Sequence, residues 1–453
     1  MAVDRRQREL MRILHIAAHM GAGAGKAISG MAISDRENKH RILLLDKPEK
    51  SDHIMRCGQR GIDVLICPQK ERIKKEVSEA DVVVVNWWHH PLTYKALAEI
   101  SEVPVRIVLW SHVNGLNYPR LGSKFAAGFD ACMFTSKASF QNSDWNHEDR
   151  AGIEERATLV YGMGDFKPQG FPAKKRYDIG HNIRIGYVGS LDYAKLHPDF
   201  VGWLKAAIDC NKNIRFEIAG DLLQALSDDV EKMGISEYVQ FLGFRTDIQK
   251  LLPLWDIFIY PLNPFNFATT ENALLEAMAS GLPVVASDGT VEKTIIKDKE
   301  NGLFASDKNM FAEKIKELSG NKELRKALGR KAREDMIEKY DAERNRFRFN
   351  AVMNKVMKSP KKLHDFKSIF GEDGFSWFLS GCGKEDAKRL KELSEYREEN
   401  SNWKEAVLSA GGFEGIYKGQ SKGSATQFSR YYPEDTRLKN LARIMKKSEE
   451  MSI

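Results

Sequence analysis

The sequence predicts an α/β protein made of two doubly wound domains in succession, followed by a C-terminal extension. Three observations predict it. Short apolar runs alternate with helical patterns through the first half of the chain. The same alternation restarts near residue 183. Between the two stands Lys167-Pro168-Gln169-Gly170-Phe171-Pro172-Ala173-Lys174-Lys175, which has the Pro, Gly and Lys composition of a linker. Runs that are apolar throughout, not alternating, are those of strands buried on both faces, and helices between them imply parallel sheets.

In the first half the strand candidates are Ile13–Ala17, Ile42–Leu45, Val64–Ile66, Val82–Val85, Val105–Leu109 and Ala131–Phe134. In the second they are Ile183–Val188, Phe216–Ala219, Val239–Leu242, Phe258–Tyr260 and Val284–Ala286. Two Rossmann-like domains facing each other across a cleft are the expected architecture. The boundaries expected are residues 1–168 for the first domain and 176–345 for the second. Beyond Ser306 the chain is charged and helix-like to about Met357. Residues 361–453 combine a Gly- and aromatic-rich stretch with helical segments at Lys384–Glu399 and Arg437–Glu450. Trp377, Trp403, Phe413 and Tyr431-Tyr432-Pro433 argue that much of this extension is folded, because disordered tails lack aromatics.

Composition narrows the function classes. The 453 residues are 42% hydrophobic and 29% charged, as in an ordinary soluble protein with room for two cores. No apolar run approaches the roughly 20 residues that span a bilayer. Met1–Arg12 is rich in Arg and Glu and leads straight into a strand, which argues against a secretory signal. Five cysteines (Cys57, Cys67, Cys132, Cys210, Cys382) form no Cys-x-x-Cys pair, so a reducing compartment is expected and structural zinc is not. A net charge of +7 suits anionic substrates or lipid headgroups but is too small to imply nucleic acid. The expected location is the cytoplasm, with peripheral contact on the inner face of the membrane as a secondary expectation. Oligomeric state is left open.

The richest motif is Thr269-Thr270-Glu271-Asn272-Ala273-Leu274-Leu275-Glu276-Ala277-Met278-Ala279-Ser280-Gly281. It reads as a helix with threonines at its start, an acidic first turn and Gly281 ending it. Leu274, Leu275 and Met278 face a core, while Asn272, Glu276 and Ser280 make one polar stripe. The segment resembles the signature of retaining glycosyltransferases of the GT-B fold, family 4 in particular. The resemblance implies that a nucleotide-sugar diphosphate sits on the helix N-terminus, touching Thr270, Asn272 and Ala273, and that Glu276 binds the ribose. Orphan N–H groups and the helix dipole make such an end an anion site. The sequence departs from the pattern at Ala268, where the family carries a glutamate near the sugar. Thr270 and Glu271 replace the usual Phe and Gly. Glu271 is the candidate to serve the sugar instead, against its bland role as an acid at a helix start. In such relatives the helix over residues 346–360 crosses back to the first domain.

Other segments join the resemblance. Gly186-Tyr187-Val188-Gly189-Ser190-Leu191, with Lys195, resembles the family's diphosphate clamp, but its arginine position is Ser190. Lys195 is then the main cation, and Arg245 is the candidate substitute for the lost bidentate donor. The loop His19–Ala27 invites a phosphate-loop reading that fails at Met20 and Ala27, and Gly-x-Gly-x-x-Gly fails at Lys26 and Ile28. The resemblance instead places Gly21 and Gly23 against the donor sugar and diphosphate. It also makes His112, at the end of a strand, a sugar contact. His89-His90 looks like a metal pair, but adjacent side chains point apart, and Asp-x-Asp does not occur.

The expectation is a metal-independent, retaining glycosyltransferase that needs no cofactor. It would take a UDP- or GDP-linked sugar as donor and a glycan, lipid-linked or other acceptor. Lys195, Glu271 and His112 are the candidate catalytic residues; Gly189, Ser190, Arg245 and Glu276 complete the binding set. The alternatives are a catalytically inactive nucleotide-sugar binder, suggested by Ala268 and Ser190, and a nucleotide-sugar epimerase of the same fold.

Overall fold

The structure, a computed structural model, describes residues 10–174, 182–399, 401–413 and 423–451. Most of the Arg- and Glu-rich start and Lys175 of the linker lie outside the described residues. The chain forms two compact units, divided between Asp165 and Phe166 and again between Arg344 and Asn345.

Unit 1 holds β1 (Arg12–Ala17), β2 (Lys39–Leu44), β3 (Asp63–Ile66), β4 (Val82–Trp87), β5 (Ile107–Ser111), β6 (Ala131–Phe134) and β7 (Ala157–Leu159). They pair in the order β3-β2-β1-β4-β5-β6-β7, parallel throughout. Strand β4 is wholly buried because helices cover both faces of the sheet. The three-residue β7, half-buried and at the sheet edge, has too short an apolar run to be seen in the sequence.

One face of this sheet is covered from far along the chain. Helix Ala342–Val356 places Phe349, Val352, Met353 and Val356 on one side, the i, i+3, i+4, i+7 spacing of an apolar stripe. These side chains pack with Ile13, Val82, Val84, Val108, Trp110 and Met133. Asn345 fixes the helix start, accepting from Tyr161 N and donating to Tyr161 O, both at 2.8 Å. After it come the helices Phe366–Phe370, Gly374–Leu379, Lys384–Ser394, Trp403–Ala410, Ala425–Tyr431 and Thr436–Met451. They pack within unit 1: Phe366 lies on Phe129, Phe370 on Tyr94 and Phe428 on His89.

Unit 2 holds β8 (Ile183–Val188), β9 (Ile214–Ala219), β10 (Val239–Gly243), β11 (Ile257–Tyr260), β12 (Val284–Ser287) and β13 (Leu303–Ala305). Their order is β10-β9-β8-β11-β12-β13, again parallel. The charged stretch that follows breaks into Lys308–Gly320 and Lys322–Lys339, because Asn321 accepts from Leu324 N at 2.9 Å and starts a new helix.

Candidate active site

In unit 2 the strand order turns round at β8. The chain runs outward through β9 and β10, then resumes on the other side of β8 at β11. Open α/β sheets bind ligands in the crevice that such a reversal leaves beyond the strand C-termini. Lys195 follows β8 and the helix Asn272–Ala279 follows β11, so the two flank that crevice.

Their side chains meet there. Lys195 Nζ donates to Glu271 Oε2 at 3.2 Å and lies 5.3 Å from the Tyr260 ring centroid. The Tyr260 hydroxyl donates to the same oxygen at 2.5 Å. Tyr187 stacks on Tyr260, with its hydroxyl on Ser190 O at 3.1 Å. A Cβ at Gly189 would sit 2.5 Å from that hydroxyl oxygen, so glycine is what leaves room for the tyrosine. The lysine loop is pinned by Asn263, whose N donates to Lys195 O at 2.8 Å and whose Nδ2 donates to Tyr193 O at 2.9 Å.

The helix start corrects the sequence reading. Glu271, not a threonine, is the N-cap residue; no side chain caps the helix, and its first turn holds no acid. Glu271 has φ 51° and ψ 57°, a left-handed conformation that costs a non-glycine residue roughly 1–2 kcal/mol. That turn carries its carboxylate into the interior, toward Lys195 and Tyr260 and away from the helix N–H groups. The other end is as read: Gly281 has φ 74°, and Leu282 N and Gly281 N donate to Ala277 O and Met278 O.

A second carboxyl stands beside the first. Glu292 is buried, with Oε1 lacking a hydrogen-bond partner. Burial, then the charge of Glu271, pushes its pKa up to about 8 against the opposing pull of Lys195. A Cβ at Gly289 would lie 2.1 Å from Glu292 Oε2, so this carboxyl is seated where only glycine leaves space. Nothing in the local pattern of Gly289-Thr290-Val291-Glu292 singles out the residue. Tyr187 and Tyr260 were equally hidden, reading as members of buried strands.

The remaining candidates fall in several places. Asn272 and Ala273 form the first turn of the helix, with Glu276 half-buried one turn later and Thr270 buried just before it. Gly189 and Ser190 lie on the lysine loop. Arg245 is engaged by its neighbour, with Nε and Nη2 each 2.8 Å from the Asp247 carboxylate.

In unit 1, the reversal lies between β1 and β4. Gly21 is the N-cap of a helix running Ala22–Ser34, so Gly23 and Gly25 are helical and the expected long glycine loop is short. The Gly25 backbone approaches Met20 and His53 so closely that a Cβ would sit 2.3 Å from Met20 O. His112 Nε2 is 2.9 Å from Asn86 Oδ1, while Asn86 Nδ2 donates to Ile16 O. Asn86 therefore accepts from Nε2–H and leaves His112 Nδ1 as an acceptor. Burial pushes the His112 pKa down to about 3, keeping the ring neutral. His89 and His90 part company: His89 Nδ1 meets the Tyr94 hydroxyl at 2.6 Å, and His90 starts the helix Pro91–Ile100. Among the described residues, no three His, Cys, Asp or Glu side chains group as metal ligands, and no helix is long and apolar enough to cross a membrane.

Residues 182–321, nearly all of the β8–β13 sheet unit, match the family model described as glycosyl transferases group 1. The match covers under half of the chain, and the two-sheet architecture is the GT-B fold. The chain's relatives include EpsD of Bacillus subtilis (strain 168), named as a glycosyltransferase, 33% identical over 40% of this chain and 50% of EpsD. Another is the N,N'-diacetylbacillosaminyl-diphospho-undecaprenol alpha-1,3-N-acetylgalactosaminyltransferase of Campylobacter jejuni, 35% identical over 27% of this chain and 32% of that protein. The chain thus spans half or less of the length of these curated relatives. Among solved structures, Anabaena HepE in complex with UDP and glucose superposes with a TM-score of 0.62 at 16% identity, over 76% of this chain and all of HepE. Staphylococcus aureus TarM reaches 0.51 at 17% identity, over 63% of this chain and 57% of that one. At these identities the likeness is one of GT-B fold.

Proposed function

We propose that this GT-B chain is a retaining, metal-independent glycosyltransferase that moves a sugar from a nucleotide-sugar to a glycan or glycoconjugate acceptor. The observation that carries the reading is the convergence of Lys195 and the N-terminus of helix Asn272–Ala279 on Glu271 at the switch point of unit 2. A cation and a helix N-terminus side by side make a receptor for a diphosphate.

In this reading the leaving diphosphate gathers charge as the sugar bond breaks, and Lys195 with the N–H groups of Asn272 and Ala273 stabilises it. No divalent ion is needed where a lysine does that work. Glu276, one turn along the same helix, binds the ribose hydroxyls, and Glu271 addresses the sugar in place of the glutamate missing at Ala268. Retention follows if the departing phosphate itself takes the acceptor's proton, so the chain supplies no general base. UDP is the first nucleotide to test, because HepE has been solved with UDP.

The test is a thermal-shift series with UDP, GDP and ADP, followed by transfer from the matching nucleotide-sugars with and without EDTA. A nucleotide at about 100 times its Kd stabilises by ~2.7 kcal/mol, which the assay resolves. Binding with transfer supports the reading. Binding without transfer to any acceptor returns the chain to an inactive binder, and no nucleotide binding refutes both.

A further inference from the structure

Unit 1 has a switch point of its own, and the mechanism above leaves most of it unused. The loops leaving β1, β2 and β4 bring together His19, Asp46, Trp88 and His90. A fifth residue, Tyr431, comes from the C-terminal helices, far beyond the residues that match the family model.

The five form one polar and aromatic corner. The Tyr431 hydroxyl donates to Asp46 Oδ2. His90 Nδ1 accepts from Leu92 N at 3.3 Å, which leaves the proton on Nε2, 3.9 Å from the same carboxylate oxygen. The Tyr431 ring meets His90 edge-on at 5.1 Å, and His19 meets His90 edge-on at 5.9 Å. His19 also lies against Trp88, with centroids 5.1 Å apart. Trp88 is only 9% exposed, and its indole Nε1 has no hydrogen-bond partner. A buried indole N–H without an acceptor forgoes a hydrogen bond that an incoming oxygen can supply. The Asp46 side chain stays 31% exposed, so the corner is open to solvent.

Tyr431 is held firmly in this position. Next to it, the Tyr432 hydroxyl donates to Pro91 O at 2.9 Å, and Trp377 packs edge-on to the Tyr432 ring. Nearby, Arg120 N donates to Gly381 O at 2.7 Å, tying the extension to the loop after β5. The extension therefore reaches the C-terminal ends of the strands, where ligands of open α/β sheets bind.

We propose that Asp46, Trp88, His90 and Tyr431 form a pyranose-binding subsite for the acceptor, completed by the C-terminal extension. The chemistry fits a sugar. A carboxylate takes charge-assisted hydrogen bonds from neighbouring hydroxyls, an indole N–H donates to a ring or hydroxyl oxygen, and aromatic rings cover the C–H face. The inference rests on the proposed transferase reading for its role, but the binding it describes needs no donor.

The full chain, labelled with 15N-tryptophan, would be titrated with p-nitrophenyl β-D-glucopyranoside and p-nitrophenyl N-acetyl-β-D-glucosaminide. Trp88→Phe identifies the Trp88 indole among the eight tryptophans of the sequence. The expected result is a saturable shift of that indole resonance, weakened fivefold or more by Tyr431→Phe and tenfold or more by Asp46→Asn. Tyr431→Phe keeps the ring packed, and an unchanged far-UV spectrum and melting temperature establish that each variant folds. Glycosides that leave the indole unmoved, affinities indifferent to both substitutions, or an equal response to p-nitrophenol alone would each overturn the proposal. A parallel UDP thermal shift reports on unit 2, so loss of nucleotide binding counts against the donor reading and leaves the subsite result standing.

Discussion

Glu271 holds Lys195 in the unliganded protein, and that contact sets an unusual pair of opposite expectations for Glu271→Gln. The glutamine keeps the size of the side chain, the left-handed backbone and an acceptor for the Tyr260 hydroxyl. It removes only the charge facing Lys195 Nζ at 3.2 Å. The glutamate is buried but the lysine side chain is 22% exposed, so solvent screens part of the attraction. A net value of about 1 kcal/mol, the upper end for pairs reached by water, is the appropriate scale. Lys195 must give up this partner to meet a diphosphate, so removing the competitor should tighten UDP binding about fivefold. Turnover should move the other way. If Glu271 acts on the sugar as the bond breaks, kcat falls tenfold or more. Isothermal titration with UDP and a transfer assay measure the two arms. UDP affinity that is unchanged or weaker in Glu271→Gln refutes the competition argument, and wild-type turnover returns the residue to a backbone role.

Glu276→Ala should raise the Kd for UDP at least tenfold with little change in melting temperature, since a ribose pair on a carboxylate is worth roughly 1.5–3 kcal/mol per charge-assisted bond; unaltered affinity removes the residue from the site. Transfer should survive excess EDTA within about twofold, and a loss restored by Mg²⁺ or Mn²⁺ would assign the diphosphate charge to an ion. Glu292 is raised from 4.5 to about 8 in the folded protein, so between those values the unfolded chain binds fewer protons and stability falls as pH rises; Glu292→Gln should flatten the fall in melting temperature between about pH 5 and 8. Phe349→Ala should cost about 3–5 kcal/mol in denaturant unfolding, because the ring is fully buried and stacks on His15 beside Trp110.

Most of the framework was legible because parallel strands buried on both faces announce themselves as unbroken apolar runs. Val82–Val85 and Val284–Ala286 could be read as strands without knowing a partner. β7 and β13 were missed, because Thr158 interrupts Ala157-Thr158-Leu159 and Leu303-Phe304-Ala305 carries no β-branched residue. Helix Asn272–Ala279 was visible from its stripe and its glycine stop, yet its start was misjudged. Threonine is a good cap in general, but here a left-handed Glu271 finds two interior partners, Lys195 and Tyr260, that lie 76 and 11 residues away in sequence. Local propensity cannot register partners at that distance.

The same limit explains why the polar interior of both units was the hidden part. Glu292, Tyr187 and Tyr260 in unit 2, and Asp46, Trp88 and Tyr431 in unit 1, have neighbours set by strand order and not by spacing along the chain. Each group sits at or beyond the C-terminal strand ends near a reversal of sheet order, where segments far apart in sequence converge. Burying a carboxyl such as Glu292 or leaving an indole N–H such as that of Trp88 without an acceptor works against stability. Buried polar atoms without a partner also occur elsewhere, as at His15 Nδ1 and Ser139 Oγ, but Glu292 and Trp88 stand where a ligand could supply the missing partner, a diphosphate and sugar in unit 2 and acceptor hydroxyls in unit 1. Ligands that restore those hydrogen bonds should therefore raise the melting temperature of the wild-type chain more than that of Glu292→Gln or Trp88→Phe, each at its own site.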